Sequence, residues 1–172
     1  MQKQTRGIGR LAALPAAALL LMPLGCCDGP VAPQTEGCMF DTSMVTECTV
    51  AVLEETGGIA GRIDRWVIRD DGTVKHVDLA TGAESELQVP GGAEQAAQLQ
   101  AALASSGLDD QETGCYEPCE AVADGVRQRL VYQRQDDRRL FFFGTETGAD
   151  VPRVIADAIG RMQDYVAEAQ AR

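Results

Sequence analysis

The chain has 172 residues, with 26 acidic side chains against 15 basic ones and a net charge of −11. That balance excludes a nucleic-acid-binding role and docking on anionic lipid head groups, because both need a positive surface. Aromatic residues make up only 5% of a chain long enough to bury a real core, which suits an α+β domain and not a large β-barrel.

At the start, Lys3, Arg6 and Arg10 precede an apolar run from Leu11 to Leu24. A charged region followed by an apolar stretch of this length is the pattern of a secretory signal. It is shorter than the roughly 20 residues that a membrane-spanning helix needs. The run closes on Gly25-Cys26. A small residue followed by Cys resembles the lipobox of bacterial lipoproteins, in which the Cys becomes the lipidated first residue. Cys27, with Leu24 at the favoured place but Cys26 before it, is the alternative. Three segments follow: residues 1–25 as signal peptide, 26–37 as a tether marked by Gly29, Pro30 and Pro33, and 38–172 as one α+β domain. Loss of the signal removes three basic residues and no acids, leaving 12 against 26 and a net of −14. Membrane attachment is then expected from the lipid and not from charge.

Within the domain, Thr49 to Leu53 is a β-type run that leads into Glu54-Glu55-Thr56 and the glycine loop 57–61. Arg62 to Arg69 alternates, with Trp66 and Ile68 on one face and Ile63 and Val67 on the other. Asp70-Asp71-Gly72 is a hairpin signal. Thr73 to Leu79 sets Val77 and Leu79 opposite His76. After Thr81-Gly82, Ser85, Leu87 and Val89 share a face. These short connections predict an antiparallel meander. Ala93 to Ser105 has helical spacing at Ala96, Leu99 and Leu103, with Gly107 as its terminator. Asp109 to Asp124 reads as an acidic loop. Val126 to Gln133 and Leu140 to Phe143 are further strands. Asp150 is the expected N-cap of a closing helix, with Pro152 in its first turn and an apolar stripe at Val151, Val154, Ile155, Ala158, Ile159, Met162 and Val166. The order ββββαββα predicts an antiparallel sheet of about six strands with two helices packed on one face.

Cys38, Cys48, Cys115 and Cys119 fall in the exported part, where disulfides are the default. The local pairings Cys38–Cys48 and Cys115–Cys119 each close a short loop. Zinc is not expected, because the cysteines lack knuckle spacing and His76 lies elsewhere. The Cys115-Tyr-Glu-Pro-Cys119 spacing is one residue longer than a redox Cys-x-x-Cys, and the surrounding acids oppose a thiolate. The carboxylates of residues 109–124 do not follow an EF-hand pattern and read as a solvated loop. His76 reads as a sheet-surface residue, since no Ser in a nucleophile-elbow context accompanies it. No catalytic residues, metal or cofactor are assigned.

Gly57-Gly58-Ile59-Ala60-Gly61 places three glycines in five residues around one apolar side chain. A tight loop between two strands explains the glycines; a protruding recognition loop explains Ile59 as well. This loop, the strand before it, the strand after it, the later helix, Leu130-Val131-Tyr132 and the Pro-led closing helix resemble the emfourin family, protein inhibitors of thermolysin-like metalloproteases. The likeness spans about Thr49 to Val166. It implies a non-catalytic binding domain whose partner is a metalloprotease, with Gly57 to Gly61 as the contact. The alternative is an accessory or structural lipoprotein of the cell envelope that uses the same domain for another partner.

Overall fold

The protein, seen in a computed structural model, is described for residues 40–118, 122–134 and 139–171. The signal, the tether, Cys26, Cys27, Cys38 and Cys119 lie outside the described residues. Seven strands and two helices follow in order: β1 (Thr49–Gly57), β2 (Arg62–Arg69), β3 (Thr73–Asp78), β4 (Ala83–Gln88), α1 (Ala93–Ala104), β5 (Gly114–Tyr116), β6 (Val126–Gln133), β7 (Leu140–Glu146) and α2 (Arg153–Gln170). They form an α+β domain around one sheet of order β4-β3-β2-β1-β6-β7-β5.

The meander of β1 to β4 follows from its turn chemistry. Asp71 Oδ1 accepts from the Thr73 amide at 2.8 Å, and Asp78 Oδ1 accepts from the Ala80 amide at 2.8 Å. Such side-chain caps replace the strand ladder where the chain reverses. β1 is the central strand, paired with β2 on one side and β6 on the other. Val50 to Leu53 are accordingly buried without a break, because both faces of the strand are covered.

Four expectations need correction. The sheet is mixed and has seven strands, since β5 pairs parallel with β7 through Cys115↔Gly144. A run of three residues shows no alternation, so its sequence carries no strand signal; it forms because the chain leaving α1 crosses to the free edge of β7. The acidic stretch therefore contains a buried strand and is not a solvated loop throughout. Strand β1 continues to Gly57 and β7 to Glu146, past the polar residues that end their apolar runs. α2 begins at Arg153, with Pro152 and not Asp150 at the N-cap position and no side-chain cap. A residue before proline is driven to extended conformation, so the helix starts only after Pro152.

The two helices bury their stripes on one face of the sheet. Leu99 and Leu103 of α1 and Ile155, Ala158, Ile159, Met162 and Val166 of α2 join Leu53, Trp66, Ile68, Leu130 and Phe143 in one cluster. Tyr165 joins them with its phenol pushed up to about 12 by burial, reinforced by Asp71 and Glu168.

The opposite face carries a smaller cluster. Val52, Val67 and Val131, aligned across β2, β1 and β6, are covered by Phe40, Met44, Val45 and Phe142. Next to them on β1, Glu54 is buried, and its register partners on either side are Arg65 and Arg129. Its Oε2 accepts from Arg65 Nε at 2.9 Å and Nη2 at 2.7 Å, and its Oε1 accepts from Arg129 Nη1 at 2.8 Å. Arg65 in turn stacks under the Phe40 ring, 5.4 Å from its centroid, and donates to Met44 Sδ at 3.4 Å. The segment 40–45 is thus a strap over a buried charge network.

Replacing Glu54 with Ala leaves the buried Arg65 guanidinium with only the more exposed Asp41 carboxylate, 3.5 Å away, as its charge partner among the described residues. The expected cost is about 3–5 kcal/mol, read from urea unfolding, with Glu54→Gln costing less because it keeps an acceptor. A loss for Glu54→Ala below about 1 kcal/mol would show that water reaches Arg65.

Candidate functional site

The glycine loop is the β1–β2 hairpin tip. The strands pair up to Gly57↔Arg62, and the Gly61 amide donates to the Gly58 carbonyl at 2.9 Å to close the turn. Gly57 is needed for a steric reason: its φ is +101°, and a Cβ there would lie 2.4 Å from the Gly125 carbonyl oxygen. The Gly58 amide donates to that same oxygen at 3.3 Å, so the segment before β6 props up the base of the hairpin. Ile59, by contrast, has no structural duty, with 95% of its surface exposed. At the same end of the sheet, Ile63 and Leu79 are also exposed, joined by the Leu79 amide donating to the Ile63 carbonyl at 2.8 Å.

A groove lies behind this tip, on the helix-bearing face, between the second half of α2 and strands β1 to β3. It encloses about 360 Å³ and is lined by Leu53, Glu55, Arg62, Asp64, Trp66 and His76 from the sheet and Gln163, Val166, Ala167 and Gln170 from α2. His76 Nε2 and Asp64 Oδ1 are 2.8 Å apart. The His76 ring stacks on Trp66, with centroids 5.4 Å apart and planes 19° apart. The pairing register explains both contacts: Trp66 lies opposite His76, and Asp64 is its diagonal neighbour on the same face. Glu55 is fixed from two directions, its Oε1 accepting from Gln128 Nε2 at 2.9 Å and Gln163 Nε2 at 2.6 Å.

His76 is therefore not a plain sheet-surface residue; it sits partly covered in a groove beside a carboxylate. Its strand position was legible, but the cover supplied by α2 was not. Asp64 and Trp66 are likewise not candidate site residues in the sequence. Their only shared sequence signal is that same-face positions of two neighbouring strands repeat polar-aromatic chemistry. Among the described residues, no Ser, Thr or Cys lines the groove. Among the described residues, no group of three or more His, Cys, Asp or Glu side chains is placed to hold a metal ion. No helix among them is long and apolar enough to cross a membrane.

Cys48 is exposed and free, and Cys38, the partner expected for it, lies outside the described residues. The strap of residues 40–45 is held against the sheet by Val52, Val67, Val131 and Arg65. Cys115 is buried in β5 and disulfide-bonded, and its partner lies outside the described residues, as does the expected partner Cys119.

No family model and no curated protein matches the chain.

Alkylation of the unreduced native protein is expected to modify Cys48 and spare Cys115, as read by peptide mass mapping. Protection of Cys48 would restore the bridge to Cys38.

Proposed function

We propose that the chain is a non-catalytic binding domain, held in the bacterial cell envelope by a lipid on Cys26 and facing the periplasm or the exterior. The observation that carries the binding reading is the hairpin tip. A single exposed apolar side chain is ordinary on a protein surface. Ile59 differs in its setting: it caps a protruding turn whose base is fixed by the Gly57–Gly125 contact. Glycines on either side leave the backbone bare enough to enter a cleft. Preorganisation of this kind lowers the ordering cost on binding. A protease cleft accepts extended backbone, and the emfourin likeness points to a thermolysin-like metalloprotease as the partner.

The anchor is checked by intact mass. The membrane-extracted protein is expected to begin at Cys26 with a diacyl or triacyl modification, and a different unmodified terminus would remove both the anchor and the location.

The tip is checked by inhibition. The protein is expected to inhibit a purified thermolysin-like protease, and Ile59→Asp or Gly58→Trp to weaken inhibition by about 30-fold or more, the loss of a hot-spot residue. Circular dichroism controls for folding. Equal inhibition by all three forms would move the interface elsewhere. Absence of inhibition by any of them favours the accessory-lipoprotein alternative.

A further inference from the structure

We infer that the groove beneath α2 receives one basic side chain, Lys or Arg, of a partner protein. Two carboxylates line it, and among the described residues each has only one oxygen committed. Glu55 Oε1 is taken by Gln128 and Gln163, and Asp64 Oδ1 by His76. The second oxygen of each has no partner among the described residues. Both carboxylates are partly shielded from water, which strengthens their pull on a cation relative to exposed acids. Neither has to be ordered on binding, because its neighbours already hold it. The groove also has apolar walls, Leu53, Trp66 and Val166. A long aliphatic stem lies along such walls while its charged head reaches the carboxylates. The net charge of −11 adds long-range attraction for a positive partner.

Arg62 lines the same groove, is exposed, and has no ion-pair partner among the described residues. It is the opposing charge at the site. It selects for a single cation over a basic cluster, and its removal strengthens the binding of a lone cation. Arg62 directly follows Gly61, so the groove opens beside the hairpin tip. A partner seated on Ile59 brings its neighbouring residues to the groove. The inference thus extends the protein-binding reading, and the two are separable by experiment.

The chain has one tryptophan and one histidine, and both line the groove. Trp66 fluorescence and the His76 ring protons therefore report its occupancy without a label. The purified full chain is titrated with N-acetyl-arginine amide and N-acetyl-lysine amide, with the norleucine and glutamate analogues as neutral and anionic controls. Saturable changes are expected with the two basic probes alone. Glu55→Gln and Asp64→Asn, which keep side-chain shape, each weaken binding about tenfold, as loss of one charge-assisted hydrogen bond does. Arg62→Ala tightens it, and added salt weakens it. The inference is overturned if the norleucine probe binds as well as the basic ones. It is equally overturned if no basic probe gives a saturable change, or if the folded Glu55→Gln/Asp64→Asn double variant binds like the parent. A groove that ignores both basic probes leaves the inhibition assay of the tip untouched, and a tip without inhibitory effect leaves the groove titration untouched.

Discussion

Glu54 constrains the centre of the sheet. It lies at the middle of the central strand, buried, between one arginine on each neighbouring strand. Its net contribution to stability is modest, because desolvation of a buried ion pair offsets much of the Coulombic gain. Its effect on specificity is larger. A one-residue slip of β1 would turn the carboxylate into the apolar cluster under the helices. A two-residue slip keeps the face but can trade an arginine for Val67 or Val131. Only the observed register satisfies the charge on both sides at once.

The rest of the molecule inherits that register. With Glu54 facing the strap, Leu53 and Glu55 must face the helices, and so must Trp66 and Asp64 across β2. The groove is a consequence: α2 has only Val166, Ala167 and neighbouring amides to lay over that end of the sheet, and they do not fill it. The same register ends β1 at Gly57, where the close Gly125 carbonyl admits no side chain. A rigid centre thus delivers two open features, a groove and a tip, to one end of the sheet.

The strap 40–45 closes the helix-free face of the sheet by packing. Phe40 packs on Phe142 with ring centroids 5.5 Å apart and on Arg65 by its face. This closes the helix-free face over Val52, Val67 and Val131 and limits water access to the ion network. It also leaves Cys48 as an exposed thiol at the entrance to β1.

The sequence by itself determined the class of the domain, the meander, both helices and the stripe of α2, because each rests on local periodicity or turn chemistry. Val154, Ile155, Ala158, Ile159, Met162 and Val166 repeat at helical spacing whatever they pack against, and Asp71-Gly72 turns the chain whatever lies beside it. The loop 57–61 was legible as unusual, and its exposure at Ile59 agrees with a protruding turn. Tertiary structure alone decided the features that depend on residues distant in sequence. β5 exists because β7 offers a free edge to three residues with no pattern of their own. Glu54 looked like the polar end of a strand, since Arg129 stands 75 residues away. His76 looked exposed because the other wall of its groove comes from α2, last in the chain. Local pattern fixes which element a residue belongs to; only packing fixes what that residue meets.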